Sequence, residues 1–172
     1  RSFEEGLELC VRLGDRYGVG SFRIWLSAQA FENEDLDGSE QLANQVIEEC
    51  AAADVRQPEG HALCILAFIA RRRGRDDAAL ELLHDAIALY RNLDDPWRLS
   101  GLLVDLAEQE AVMGRGDEAL QTLAESSRLD EQIGRLPGGS RRLAVAALVH
   151  LTRGQQGMSI AALGAYDAHP PD

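Results

Sequence analysis

The chain of 172 residues contains no lysine, because all 17 of its basic residues are arginine. That excludes, within this chain, chemistry that needs an amine side chain: a P-loop lysine on nucleotide phosphates, a Schiff base, or a lysine general base. Aromatics are scarce too, at 5% of residues, and 29 acids outweigh the bases to leave a formal charge of -12. Nucleic-acid affinity rests mainly on cationic side chains displacing counterions, so direct nucleic-acid binding is disfavoured. Cysteine is limited to Cys10, Cys50 and Cys64, without CxxC spacing. This is neither a disulfide framework nor a zinc half-site, and a reducing cytoplasm is the simplest compartment. Apolar stretches such as residues 63–70 and 143–149 fall far short of the ~20 residues that span a bilayer, and no signal peptide is read before them. The chain opens at Arg1 and enters FEEGLELCVRLGD, which reads as the second half of a structural unit. A fragment of a longer protein is expected.

What the sequence does have is an internal repeat. Displacing it on itself by 40 places brings Gly74, Gly114 and Gly154 into one column. Leu80, Leu120 and Ile160 align, as do Leu83, Leu123 and Leu163, and Leu26, Leu66, Leu106 and Ala146. Two columns hold only small residues: Ser27, Ala67, Ala107 and Ala147 form one, and Ser39, Ala79, Ala119 and Ser159 the other. Leu13, Ala53, Leu93 and Ile133 extend the register to the beginning of the chain, each followed by Gly or Asp.

Within each unit the apolar spacing is helical. Leu80, Leu83, Ile87 and Tyr90 recur at three or four residues and share one face of an amphipathic helix. The preceding run HALCILAFIARRR is apolar on nearly all sides until its arginines. Gly74 ends that helix, and Asp76 or Asp77 is expected to cap the next one, with the same punctuation at Gly114 and Asp117. Breaks are expected at Pro58, at Asp94-Asp95-Pro96 and at Pro137-Gly138-Gly139. These signals place a leading helix at 2–13, then pairs at 20–33 with 38–53, 60–73 with 76–92, 99–113 with 116–133, and 140–153 with 157–167. The expected fold is all-α: one domain over 1–172, built as a leading helix and antiparallel pairs over 20–53, 60–92, 99–133 and 140–167. The all-small columns mark where the two helices of a pair cross closely.

The columns resemble the tetratricopeptide repeat (TPR). Ala67 stands at the small residue of the first helix, Gly74 at the turn, Ala79 and Ala86 at the small positions of the second helix, and Leu83 at its large apolar position. Ala107, Gly114, Ala119, Leu123 and Ser126 repeat the pattern. The first unit departs from it with Glu34 at the turn and Val46 at the second small position, and the fourth with Tyr166. The resemblance implies a TPR-like α-solenoid, a right-handed superhelical array. Units of 40 residues are similar to those in large bacterial signal-transduction ATPases and transcriptional regulators, and an arginine-only basic set leans toward a GC-rich bacterial genome.

Enzymatic chemistry finds no foothold. His61, His84, His150 and His169 show no metal spacing; His61 and Cys64 share a helix face, but no second pair completes a tetrahedral site. No GxSxG elbow or glycine-rich phosphate loop is present, and no cofactor or metal is expected. The acidic stretch FENEDLDGSE at 31–40 lacks calcium-loop spacing and reads as a solvated turn. Arg71, Arg72, Arg73 and Arg75 cluster at a helix C-terminus, where the dipole favours cations and a neighbouring acidic turn or a partner carboxylate could be gripped. Trp97, at the start of a first helix, is expected to seal a joint between units. Trp25 shares a column with Ile65, Asp105 and Val145, one of which must reach solvent.

A stack of helix pairs presents a curved face of first helices suited to a peptide or protein. In the family that inner face contacts ligands, and the register puts His61, Cys64, Phe68 and Arg71 there in the second unit. Gly101, Val104, Glu108 and Ala111 follow in the third, with Phe31 in the first and Arg141 and Leu148 in the fourth. The expected site is therefore Phe31, His61, Phe68, Arg71, Glu108 and Arg141. It would serve a non-catalytic protein-interaction or sensor module of a multidomain bacterial regulator, possible partners including the flanking domains of its own chain. The alternatives are a receptor for a small peptide or metabolite, and a self-association module forming a homodimer.

Overall fold

A computed structural model describes residues 2–53, 55–135, 139–155 and 158. Among these residues the chain forms eight α-helices and no strand. They are α1 (Ser2–Leu13), α2 (Arg16–Glu32), α3 (Leu36–Ala53), α4 (Arg56–Arg72), α5 (Asp76–Asn92), α6 (Pro96–Val112), α7 (Gly116–Gln132) and α8 (Ser140–Thr152). The helix expected at 157–167 lies outside the described residues apart from Met158. The chain divides into two compact units, 1–93 with α1 to α5 and 94–172 with α6 to α8.

The turns explain the regularity. Gly74 has φ +68°, its N–H donates to Arg71 O at 2.9 Å, and the Arg75 N–H donates to Ala70 O at 2.9 Å. A left-handed residue carrying these two bonds closes the last turn and satisfies carbonyls that a helix end would otherwise leave without a partner. The same pair of bonds recurs at Gly14, Glu34, Gly114, Gly134 and Gly154. Glu34 (φ 64°) and Asp94 (φ 51°) adopt the left-handed conformation without being glycine. The turns at 14, 34, 74, 94, 114, 134 and 154 fall on one 20-residue grid, so the 40-residue unit is two helix-and-turn halves of equal length.

Three sequence expectations need correction. The first helices begin three or four residues earlier than expected, at Arg16, Arg56 and Pro96. Pro96 opens α6 and Pro58 lies inside the first turn of α4, where the missing N–H would have had no helical partner anyway. Asp76 and Asp77 do not cap α5: its N-cap is Arg75 without a side-chain bond, because the turn at Gly74 and Arg75 leads straight into helix. The aspartates sit in the first turn and act on the helix dipole instead. The side-chain caps are Asp15, Asp35 and Asp95, whose Oδ1 atoms accept from Gly18 N at 2.9 Å, Gly38 N at 3.0 Å and Arg98 N at 3.1 Å.

The small columns lie in the helix crossings. Ser27 with Ser39, Ala67 with Ala79, and Ala107 with Ala119 are all fully buried. Around them the first unit packs Ala43, Val46, Cys50 and Ala62. The second packs Val104, Ala107, Ala111, Ala119, Leu123, Val145 and Val149.

Candidate functional site

In the first unit Phe31 lies in the last turn of α2 and Phe68 and Arg71 near the end of α4, Arg71 holding the place of Phe31 in the 40-residue register. The Phe31 and Phe68 rings meet at 6.4 Å between centroids, tilted by 45°, and both are half-buried. The Arg72 guanidinium stands 5.8 Å from the Phe31 centroid. His61 turns toward α5, where it meets the buried Tyr90 ring edge-on at 6.1 Å. The Cys64 thiol donates back to Gly60 O at 3.0 Å. The His61 and Cys64 side chains are therefore engaged within their own helix pair.

The arginine cluster meets the acidic turn. Arg72 donates to Glu34 at 2.6 Å, Arg73 pairs with Asp37 and with Glu40 at 2.6 Å, and Arg75 reaches Glu40 at 3.4 Å. The stretch read as a solvated turn is thus the counter-charge of the next repeat's arginines. The Arg73 hydrogen bond outweighs partial burial and, with the Arg75 contact, holds the Glu40 carboxyl below the usual carboxylate range.

In the second unit Glu108 and Arg141 come together at 2.7 Å, and the same Arg141 Nη2 lies 2.5 Å from Asp105 Oδ1. Burial works against the Arg141 charge, but Asp105 and Glu108 more than offset it. The column that must reach solvent does so through Trp25, 63% exposed, while Asp105 is buried. Trp97 is also exposed and receives the Arg135 guanidinium at 4.6 Å from its ring centroid. Two residues assigned to the ligand face, Val104 and Ala111, belong to the core, and Leu148 packs against it.

A buried polar cluster escaped sequence reasoning. Arg142 Nη2 pairs with Asp130 at 2.6 Å, and Arg142 Nη1 donates to Ser126 Oγ at 3.1 Å. Ser100 Oγ donates to Asp130 at 2.5 Å. Its signal was present: Asp130 shares a 40-residue column with Cys10, Cys50 and Tyr90, and Arg142 with Phe22, Ala62 and Leu102. Opposite charges that replace uncharged residues in two columns mark a pair.

No protein-family model matches the chain, and no curated protein matches it. Among solved structures it is similar to the nearly identical TPR-like repeats of a protein described as a Podosopora anserina kinesin light chain, with a TM-score of 0.69 over 96% of this chain and 82% of that one. The fold is that of TPR-like repeats. At 16% identity the likeness concerns the fold alone. In TPR-like terms, Phe31, Phe68 and Arg71 lie on the first helices of the first unit, and Glu108 and Arg141 on those of the second. Among the described residues no helix is long and apolar enough to cross a membrane.

Proposed function

We propose that this chain is a non-catalytic protein-interaction module whose ligand face is formed by its first helices. The observation that carries this reading is the half-buried Phe31–Phe68 pair with Arg72 over one ring and Arg71 a turn from Phe68. Aromatic and arginine side chains held rigid at a surface are the residue types that dominate protein interfaces. In the second unit Glu108 and Arg141 supply polar, orienting contacts, and His61 contributes as an edge held by Tyr90. The finer reading places the module in a cytoplasmic, multidomain bacterial regulator, where binding would restrain neighbouring domains; the 40-residue unit and the arginine-only composition support it.

Selection of displayed peptides on the intact chain tests the reading. Enriched peptides should lose about tenfold in affinity, worth ~1.4 kcal/mol, when Phe68 is replaced by Ala. Peptides that bind the F68A variant equally well would contradict it. A second reading, self-association, is favoured by the exposed Leu9, Val11 and Leu13 of α1 with the adjoining Tyr17. Light scattering over a dilution series separates the two, since a chain monomeric at every concentration rules out a stable dimer.

A further inference from the structure

By the 40-residue register α1 is a second helix, equivalent to α3, α5 and α7, and among the described residues it packs against α2 of the following pair. The other second helices each lie against the first helix of their own pair. At the end of α5, Leu89 and Leu93 stand with Arg56, which opens α4, around one pocket. At the end of α3, Glu49 pairs with Arg23 of α2. Leu9 holds the place of Glu49 and Leu89, and Leu13 that of Leu93. Leu9 and Leu13 therefore mark the side of α1 on which a first helix would lie.

That side is open to solvent. Leu9 is 47% and Leu13 73% exposed, whereas Leu89, Leu93, Leu129 and Ile133 in the same places are partly buried. Four residues apart, the two leucines share one helix face, and the exposed Glu5 and Arg12 border Leu9 at four and three residues. Acid and base on this stripe are thus two turns apart, ~10.5 Å along the axis. Val11, also exposed, is two residues from each leucine and lies on a different face, where later repeats have the exposed Arg91 and Glu131.

We propose that the Leu9 and Leu13 stripe seats the α1 helix of a second copy of this chain, antiparallel to its own. A two-fold axis passing between Glu8 and Leu9 brings Glu5 of each copy onto Arg12 of the other and gathers both Leu9 side chains between the helices. Charge complementarity selects this direction, since a parallel pair would stack Glu5 on Glu5 and Arg12 on Arg12. The inference rests on the self-association reading above, to which it adds the seat and the geometry, and is independent of the first-helix ligand face. One short helix from each copy covers less than the ~1,200 Å² of a standard interface, so the dimer is weak.

Sedimentation equilibrium of the intact chain from ~1 µM to ~1 mM supplies the test, over the range in which a weak dimer forms. Leu13→Glu, Glu5→Arg and Arg12→Glu should each raise the dimer dissociation constant about tenfold or more, while Val11→Glu leaves it unchanged. An equal mixture of the Glu5→Arg and Arg12→Glu chains should dimerise as the natural chain does, because each ion pair is rebuilt across the two-fold axis with its charges in place. The double substitution in one chain should recover as well. All these positions are exposed, and a thermal midpoint checks that each variant is folded. A dimer unaffected by Leu13→Glu and Glu5→Arg, or one that the mixture does not rescue, overturns this seat and leaves self-association standing. A chain monomeric throughout overturns both, and the stripe then belongs to a helix of another protein.

Discussion

Ser27 and Ser39 exchange hydrogen bonds across the crossing of α2 and α3. Each hydroxyl donates to the other residue's backbone carbonyl at 2.8 Å, and the two Oγ atoms lie 3.1 Å apart in a fully buried site. The next repeat has Ala67 and Ala79 at the same places. The crossing therefore demands small volume, and serine meets it because each hydroxyl donates to the carbonyl of the residue opposite.

A double-mutant cycle on this pair should show coupling. Ser27→Ala or Ser39→Ala alone should cost about 1 kcal/mol in urea unfolding, the usual worth of a buried hydrogen bond, since each removes one donor to a buried carbonyl across the crossing. The double replacement should cost less than the two singles together, because it recreates the alanine crossing of the next repeat.

The equivalent crossing of α6 and α7 tests volume directly. Ala107 and Ala119 are fully buried there. Ala107→Leu should destabilise the chain by roughly 1–3 kcal/mol, since added methylenes force the helix axes apart. An unchanged thermal midpoint would remove Ala107 from the crossing.

The Arg142–Asp130 pair, with both residues buried, should respond asymmetrically. Arg142→Leu alone leaves a buried carboxylate without its main cation and should cost about 3–5 kcal/mol. Adding Asp130→Leu should recover most of that loss, since uncharged residues fill both columns in the other repeats. Chemical denaturation of the three variants measures it.

Glu110 should make stability fall as pH rises. Burial is the main cause that raises its carboxyl pKa, against a hydrogen bond from Thr122 Oγ1 at 2.9 Å. The folded chain then binds this proton more readily than the unfolded one. The penalty for the charged form is absent below the unfolded carboxylate value and fully present above the raised folded value. Glu110→Gln should therefore be more stable than the natural chain at neutral pH, the difference vanishing as pH falls through that window. Thermal midpoints across the acid range check the sign.

The sequence carried the helices, their pairing and the small crossings, because a 40-residue period in Gly, Ala and Leu columns records backbone requirements that do not depend on partners. Helix starts were less legible. Pro58 and Pro96 read as breaks, yet a first-turn proline has no N–H to lose, so the same residue serves either purpose. The ion pairs of Arg72, Arg73 and Arg75 with the acidic turn were legible only as a general affinity of cations for a helix end, since pairing depends on which turn lies alongside. Asp105 and Trp25 show the limit most clearly. Hydrophobicity would bury the tryptophan and expose the aspartate, but Asp105 is buried against Arg141 and Trp25 is exposed.

The central claim, that the first helices form the ligand face, is tested most directly by mapping backbone amide shifts of the intact chain on addition of a selected peptide. The account predicts shifts that centre on Phe31, Phe68 and Arg71 of the first unit, or on Glu108 and Arg141 of the second. Shifts confined to the outward residues of α3, α5 and α7 would contradict it.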